Sequence, residues 1–427
     1  MEVAVLFGGF ALFLLLNVPI GIAIGLAVIS YILVFDTQPL GYFAANMFTT
    51  CDSFPLMAIP FFILAGALME SGGLSKRLVD FANALVGHFT GGFAIVTVIT
   101  CMFFGAISGS SPATVAAIGA IMVPAMLERG YSKRFSVALI AASGCLGVII
   151  PPSIPMVMYG VATGASIGRM FMGGFGPGIV LGAALIGLSY YISKKNGFVG
   201  SGEKFSIKRV VVEFKKSIWA LLVPVFILGG IYGGFFTPTE SAVIAVIYGL
   251  MAGLFIYKEL TFKKIYDSLV GSSLTVGTVL IIVGTGTTLG KFLTIERIPT
   301  MIADGILGLT DNVIIIMLLM NILLLIVGCV METLAAILIL SPILYPIAAA
   351  CGMDIVHFGL MLIVNLAIGF ITPPVGVNLF VACGISDLKF EEIVHAIIPF
   401  VIVMLLALLL ITFVPEITMF LPNTFLR

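Results

Sequence analysis

The chain has 427 residues, of which 61% are hydrophobic and only 9% are charged, and its formal net charge at pH 7 is zero. Apolar runs of about 20 residues, the length of a bilayer-spanning helix, recur along the whole chain. This composition excludes a soluble globular protein and predicts an all-α polytopic membrane protein in contact with the lipid bilayer. No nucleic acid is expected among its partners.

The N-terminal segment is strongly apolar. Residues 1–35 lack the basic start and the small-residue cleavage site of a secretory signal, so they are expected to remain as membrane helices. Two later segments, 71–92 and 290–309, are amphipathic. Each precedes one of the two helical hairpins that are predicted below. Helices lying at the membrane surface are the default interpretation of these segments. Arms that brace a moving domain are the alternative.

A polar turn interrupts the apolar sequence at 104–124, FGAISGSSPATVAAIGAIMVP. In hydrocarbon an unpaired backbone N–H or C=O costs several kcal/mol, so such a turn is tolerated only where protein or a water-filled cavity covers it. We therefore predict the tip of a re-entrant helical hairpin at Ser108–Pro112. A second tip is predicted at Met331–Thr333, and each hairpin is followed by a helix that a Pro-Pro pair interrupts.

The two hairpin regions form an internal repeat. With one offset of 222 residues, 108–124 aligns with 330–346 and 144–155 aligns with 366–377. Two separate motifs at one offset are stronger evidence than either match alone, and repeated halves are typical of secondary transporters with a site near the bilayer midplane. The matched positions are Ser111 with Thr333, Ala113 with Ala335, Pro124 with Pro346, Gly147 with Gly369, and Pro151-Pro152 with Pro373-Pro374.

Hydropathy predicts about eleven transmembrane helices plus the two re-entrant hairpins. In this layout 16 of the 20 Lys and Arg residues fall on one side, including those of the polar stretch 194–216, which is predicted to be a loop between the halves. By the positive-inside rule that side is cytoplasmic, both termini lie outside, and the two halves are inverted. The four basic residues on the opposite side are Arg169, Lys291, Arg297 and Arg427.

An inverted pair of hairpins forms one compact unit, so alternating access requires only rigid displacement of that unit against fixed helices. About 93–160 and 313–384 are expected to move, while helices at about 2–35 and 217–257 stay fixed. The predicted parts are scaffold helices with the first arm (1–92), the first half of the transport domain (93–193), a cytoplasmic loop with scaffold helices and the second arm (194–312), the second half of the transport domain (313–390), and a C-terminal helix (391–427).

The motifs predict ion and anion sites. Proline removes a backbone donor and leaves carbonyls that, with hydroxyls, suit an alkali cation, and helix N-termini at the tips attract a carboxylate. The first predicted sodium site comprises Ser108, Ser110, Ser111, Ser143, Gly144 and Gly147. The second comprises Gly328, Glu332, Thr333, Gly369, Thr372 and Asn378. The predicted substrate-binding residues are Ser108, Gly109, Ser110, Pro152, Ser153, Met331 and Pro374.

Each of these residues also has a purely structural interpretation. A Ser or Thr in a membrane helix often bonds to its own backbone or packs against a neighbour. Glu332 is the only acid at a predicted tip, where it either serves function or caps a helix N-terminus. Asn365 and Asn378 could simply link helices. Glu240, in a Thr-Pro-Thr-Glu sequence, is expected to cap a helix.

The sequence resembles a known family through four motifs: SGSSPATVAAIGAIMVPAM, IIPPSIPMVMYG, GGFFTPTESAVIAVIYG and FITPPVGVNLFVA. These are similar to the large membrane subunit of tripartite ATP-independent periplasmic (TRAP) transporters, over essentially the whole chain. The resemblance implies an elevator-type fold in the bacterial inner membrane and sodium-driven uptake of an organic acid, of the sialic acid or C4-dicarboxylate class. It also implies two partners, a small four-helix membrane subunit and a soluble periplasmic substrate-binding protein. Sodium is the expected coupling ion, with no organic cofactor, and the resemblance places its sites between each hairpin and its broken helix.

Two other functions were weighed against this one. A stand-alone sodium-coupled carrier or channel would need neither partner. An intramembrane serine hydrolase would need a base beside the SGSSP serines, but the three histidines, His88, His357 and His395, are all predicted near membrane surfaces. No catalytic residue is therefore assigned, and the chain is not expected to be an enzyme.

Overall fold

A computed structural model describes residues 2–198, 200, 202, 205–308, 310 and 312–426. This part of the chain is built of helices and contains no strand. The first eleven helices are α1 (Glu2–Leu15), α2 (Ile20–Phe35), α3 (Leu40–Cys51), α4 (Ala58–Ser71), α5 (Leu74–Val86), α6 (Gly92–Ser108), α7 (Ser111–Glu128), α8 (Lys133–Gly144), α9 (Leu146–Ile149), α10 (Ile154–Thr163) and α11 (Ile167–Asn196).

The remaining helices are α12 (Ile207–Tyr232), α13 (Pro238–Met251), α14 (Phe262–Ile295), α15 (Ile298–Leu307), α16 (Val313–Val330), α17 (Thr333–Ala350), α18 (Ile355–Gly369), α19 (Val377–Gly384), α20 (Phe390–Phe413) and α21 (Glu416–Phe425). A 3₁₀ turn at Phe54–Met57 precedes α4, and a π-helical turn at Ala252–Ile256 follows α13. The Thr-Pro-Thr-Glu sequence forms a capping box, in which Thr237 and Glu240 satisfy each other's backbone N–H groups at the start of α13.

Eight helices within the described residues are long and apolar enough to cross a bilayer, and a bent pair formed by 133–149 and 154–163 would make nine. The chain is therefore a multi-pass membrane protein. The eight include α7 and α17, which are the second arms of the predicted hairpins. Four further apolar helices of the described residues, α1, α2, α6 and α18, are shorter.

The polar stretch between the halves is mostly helical. α11 continues through Asn196 and α12 begins at Ile207, so the connection covers 197–206 rather than the predicted 194–216. The charged start of α12 is helical because its apolar face packs on α5, where the rings of Phe214 and Phe81 lie 5.7 Å apart. Of the basic residues used to orient the chain, Lys204 and Arg427 lie outside the described residues.

The repeat is visible in the helix boundaries. α7 and α17 both begin and end 222 residues apart, and α8 and α18 begin 222 residues apart. The thiol of Cys145 lies 3.0 Å from the carbonyl oxygen of Ala367, and these two residues are also separated by 222 positions. Equivalent residues of the two broken helices are therefore in contact with each other.

The helix contacts define two groups of helices. The hairpin helices and broken helices contact each other and α11 and α20, whereas α14 lies along α2, α3 and α4 and also contacts α17. Two ion pairs and one hydrogen bond join segments that are distant in the sequence. They are Arg77 with Glu259 at 2.8 Å, Arg134 with Glu392 at 2.7 Å, and Arg169 with Asn423 at 3.0 Å. Each pair joins segments that the charge distribution assigns to one side of the membrane.

Candidate functional site

Both hairpin tips face one cavity of about 710 Å³. Residues 108–113 line it from the first tip and 332–334 from the second, while α4 and α14 form the opposite wall. The structure thus brings together residues that the sequence places more than 200 positions apart. Six of the predicted site residues line the cavity: Ser108, Gly109, Ser110, Ser111, Glu332 and Thr333.

The first tip is a tight turn that rests on the chain after Pro151-Pro152. Gly109 ends α6 with φ of +59°, a left-handed conformation that favours glycine, and Ser110 is extended. The Gly109 carbonyl accepts a hydrogen bond from the N–H of Ile154 at 3.4 Å. A Cβ atom at Gly109 would lie 3.0 Å from the carbonyl oxygen of Pro152. The tip and the broken helix therefore fit only through glycine.

The hydroxyls of the first tip bond to one another and to backbone. Ser108 Oγ lies 3.1 Å from Thr114 Oγ1, and Thr114 donates to the carbonyl of Ser110 at 2.7 Å. A Cβ atom at Gly147 would overlap Thr114 Oγ1 and lie 2.6 Å from the Ser110 oxygen. Sequence reasoning missed Thr114, although its position one turn after Ser110 is a signal that could have identified it. This cluster of neutral oxygens has the chemistry of an alkali-cation site.

The sequence groups Asn378 with the second predicted sodium site, but its side chain contacts Ser111 of the first tip. Its amide nitrogen donates to Ser111 Oγ at 2.7 Å and to the carbonyl of Ala141 at 3.0 Å. The hydroxyl of Ser111 also lies 3.0 Å from Asn378 Oδ1. The grouping is corrected because α19 crosses over to pack on α7 and α8, an arrangement that the linear repeat does not reveal.

Ser143, Gly144 and Gly147 lie behind the first tip rather than in the cavity lining. The side chain of Ser143 is fully buried, and its hydroxyl has no hydrogen-bond partner among the described residues. A Cβ atom at Gly144 would collide with Val115 and lie 3.4 Å from the carbonyl of Ser111. These positions let α8 approach the tip backbone closely, and they leave one buried hydroxyl available to a ligand.

The second tip occupies the equivalent position but has a different backbone, because Met331 and Glu332 are both extended. Met331 and Glu332 connect α16 to α17, and a carboxylate oxygen of Glu332 accepts from the N–H groups of Leu334 at 2.9 Å and Ala335 at 3.2 Å. Glu332 is thus a helix cap that also lines the cavity. The hydroxyl of Thr333 is buried without a partner in the part of the chain that the structure describes.

Two glycines bring the second hairpin against its broken helix. A Cβ atom at Gly369 would overlap the backbone of Gly328, and one at Gly328 would lie 3.2 Å from the Leu366 Cα. Thr372 donates to the carbonyl of Ile368 at 2.8 Å, so its hydroxyl bonds to its own helix. Gly328, Gly369 and Thr372 lie next to the second tip but do not line the cavity.

Four predicted substrate-binding residues also do not line the cavity: Pro152, Ser153, Met331 and Pro374. Ser153 is buried and donates to the carbonyl of Val148 at 2.6 Å, within the broken helix. Both Pro-Pro bonds are cis. Pro374 is exposed, whereas Pro152 is buried, so the two interrupted helices are covered to different extents.

The chain belongs to a known transporter family on direct comparison. Residues 7–417 match the sequence model described as "tripartite ATP-independent periplasmic transporter, DctM component". The chain is a member of the TRAP transporter DctM family. This confirms the family that the motifs indicated, and the function of its members is transport across a membrane.

Curated TRAP relatives resemble the chain over nearly all of its length. The isethionate TRAP transporter permease DctMQ of Oleidesulfovibrio alaskensis is 52% identical over 97% of this chain, which spans 66% of that protein's length. The C4-dicarboxylate large permease DctM of Rhodobacter capsulatus is 39% identical over 99% of both chains. The sialic acid large permease SiaM of Vibrio cholerae is 36% identical over 96% of both.

Solved structures share the fold of this TRAP subunit at low sequence identity. The YdaH transporter of Alcanivorax borkumensis superposes with a TM-score of 0.65 at 14% identity, covering 89% of each chain. MtrF of Neisseria gonorrhoeae gives 0.58 at 13% identity, covering 89% of this chain and 85% of MtrF. At this identity the likeness concerns the fold alone.

Sequence reasoning did not single out the wall of the cavity that α4 and α14 form. Polar residues recur every three or four positions along α14, the spacing of one helix face, and this pattern could have identified them. Glu70 and Ser71 of α4 complete the wall. The lining residues of α14 are Lys264, Asp267, Ser268, Gly271, Ser272, Thr275 and Val279.

Proposed function

We propose that the chain is the membrane subunit of a TRAP transporter that couples inward sodium movement to uptake of a small organic anion across the bacterial inner membrane. The observation that carries this proposal is the single cavity faced by both hairpin tips. The N-terminus of α7 reaches that cavity without a side-chain cap, and free N-terminal N–H groups attract anions. The N-terminus of α17 also reaches the cavity, but its first N–H groups are bonded to the carboxylate of Glu332. Oxygen-rich tips beside the same space suit the coupling cation.

The first sodium site is proposed at the first tip. Its candidate ligands are neutral oxygens from the carbonyl and hydroxyl of Ser110, the hydroxyls of Ser111 and Thr114, and the side-chain oxygen of Asn378, with Ser143 behind them. The second site is proposed around Glu332, Thr333 and Thr372, where Gly328 and Gly369 bring the helices together. Hard oxygen donors favour sodium over transition metals.

The substrate is proposed to be a small anion that carries a carboxylate or sulfonate. The relatives named for isethionate, C4-dicarboxylates and sialic acid all take such anions, and the isethionate relative shares the highest identity of the three. The sialic acid or C4-dicarboxylate class remains the expectation from the sequence. Isethionate, succinate and N-acetylneuraminate therefore form the panel of test substrates.

The two hairpins are proposed to be re-entrant and to move together as an elevator, in a layout of about eleven crossings with both termini outside. We call the two hairpins and the two broken helices (α6–α10 and α16–α19) the hairpin unit. Support for the elevator comes from the contacts of α14, which packs on α2, α3 and α4 but touches the hairpin unit through α17. The fixed helices would hold a small four-helix membrane subunit, and a soluble periplasmic binding protein would deliver the anion.

A stand-alone carrier is the alternative. Copurification of the small subunit and dependence of uptake on the binding protein distinguish the two cases. A serine hydrolase finds no support, because no histidine lines the cavity beside Ser108–Ser111 in the described part of the chain.

Coupling is tested in proteoliposomes that contain the chain and its small subunit, with the substrate-loaded binding protein outside. We expect accumulation only with inward sodium and more than one sodium per substrate, because two separate oxygen sites are proposed. Replacing sodium with potassium or choline under a proton gradient is the control. Equal accumulation under that control would overturn sodium coupling.

A further inference from the structure

A second cavity of about 480 Å³ lies at the other end of α14. Its walls come from α3 and α14 on one side and from α10 and α17 of the hairpin unit on the other. α14 therefore lines both cavities, with 264–279 facing the hairpin tips and 287–295 facing the second space. Nothing in the proposed sodium sites uses this second space.

The second cavity has a single charge. Lys291 is the only charged residue among those that line it, whereas the first cavity contains Lys264 together with Glu70, Asp267 and Glu332. The charge distribution of the sequence places Lys291 on the outer side of the membrane. Among the described residues that line it, this space has one cation and no carboxylate, and such a balance favours an anion entering from that side.

The ammonium of Lys291 is held by a neutral partner. It donates to Asn46 Oδ1 at 2.7 Å, and the Asn46 amide in turn donates to the carbonyl of Tyr42 at 2.9 Å. Within the described residues no carboxylate lies at ion-pair distance from Lys291, in contrast to the Arg77–Glu259 pair. A neutral amide orients the ammonium without cancelling its charge.

A second polar group on the same helix face is unused. Thr287, one turn before Lys291, lines the cavity, and its hydroxyl is buried with no hydrogen-bond partner in the described chain. A buried hydroxyl without a partner is costly unless a ligand or water satisfies it. Lys291 and Thr287 thus offer an ammonium and a hydroxyl donor to one anionic group.

The second tip can reach this level by sliding along α14. Leu338 and Pro342, five and nine residues after Thr333 on α17, line the second cavity and contact Gly286 and Gly290 of α14. At 1.5 Å per helical residue, a shift of roughly 8–14 Å would bring the tip to the present level of Leu338 and Pro342. The second cavity would then open onto the tips.

We propose that Lys291 and Thr287 form an anion-capture site of the outward-facing state. Their ammonium and hydroxyl bind the carboxylate or sulfonate of the substrate between α14 and the hairpin unit, before the anion settles at the tips. Asn46 is a positioning residue that directs the ammonium into this space. The inference rests on the proposed function, because it requires an anionic substrate and a moving hairpin unit.

The test measures initial uptake in the sodium-driven proteoliposomes with saturating binding protein loaded with isethionate, succinate or N-acetylneuraminate. Hydrogen bonds to charged groups contribute more free energy to binding than neutral ones do. Removing the ammonium in K291Q should therefore slow uptake roughly tenfold or more. K291R should retain most of the rate, and T287V should show a smaller loss. The concentrations of sodium and of binding protein that give half-maximal rate should stay unchanged, which a general structural defect would not allow.

Matched variants separate charge from folding. K263Q removes a lysine at the opposite end of α14 that lines neither cavity, and it should behave as wild type. N46D keeps the side-chain shape but pairs the ammonium with a carboxylate, so it should slow uptake as K291Q does. Wild-type rates in both K291Q and N46D would overturn the capture site while leaving the proposed function intact. No sodium-driven uptake by the wild type of any anion in the panel would instead overturn the proposed function.

Discussion

The two hairpin tips occupy equivalent positions but differ in backbone and in chemistry. Each tip is two residues long and joins equivalent helices, but Gly109 of the first tip is left-handed whereas Met331 of the second is extended. A glycine of each broken helix packs against its hairpin: Gly147 against the Ser110 carbonyl, and Gly369 against Gly328 of α16. The first tip is rich in hydroxyls that bond internally, whereas the second uses the carboxylate of Glu332 to cap α17. The repeat therefore fixes the frame of a two-sided cavity, and the side chains can diverge within it.

The two broken helices also differ in cover. Residues 150–153 are buried, while 372–375 are partly exposed. Asn378 adds a second difference between the halves. It belongs to the second half of the repeat, but its amide nitrogen donates to Ser111 at the first tip. The first tip is thus braced by both halves of the protein, and the second is braced mainly by its own.

The largest expected effect comes from locking the second half to the scaffold. An ideal Cβ atom at Gly286 of α14 lies 3.0 Å from Leu338 Cβ of α17, close enough for a disulfide between G286C and L338C after a small adjustment. If both tips belong to one moving unit, this crosslink should abolish uptake, and reductant should restore it. Uptake through a verified crosslink would show that the tips act by local gating.

The next effect tests the shared frame. Gly147→Ala and Gly369→Ala would each press a methyl group into backbone, and overpacking of this kind costs about 1–3 kcal/mol. Both variants should lower the midpoint of thermal unfolding in detergent and reduce uptake. Gly187→Ala on α11, where nothing lies within 4 Å, is the matched control and should be neutral. A harmless substitution at one glycine would mean that the two frames are not equivalent.

The difference in chemistry is tested at Glu332. Glu332→Gln keeps the size of the side chain but removes its charge, so the sodium concentration for half-maximal uptake should rise about tenfold, a loss of roughly 1.4 kcal/mol. Asp354→Asn makes the same change at the N-cap of α18, away from the cavity, and should leave sodium activation unchanged. Identical behaviour of the two variants would reduce Glu332 to a cap.

The smallest effects are expected from single hydroxyls. Ser110→Ala and Thr333→Ala should weaken sodium activation several-fold without loss of expression or of small-subunit assembly, because each removes one neutral oxygen. Ser273→Ala, at an exposed serine that bonds to its own helix, serves as the control. Wild-type transport at every sodium concentration would assign both residues to packing.

Much of this protein is determined by local sequence. Apolar runs of sufficient length form membrane helices. Gly109 permits the left-handed turn at the first tip, and Thr237 and Glu240 cap α13 within a span of four residues. The motifs around Ser111 and Pro151 also established the family and the repeat. These features were predictable because each depends on residues close together in the chain or on a pattern repeated along it.

Only the tertiary structure decided which distant residues meet. The structure shows that Asn378 lies at the first tip, that Thr114 completes the hydroxyl cluster, and that α14 lines both cavities. It also made 207–216, the second part of the polar stretch, helical, because α12 packs on α5. Such contacts follow from how helices cross and which faces they bury, and no periodicity within a single segment specifies them.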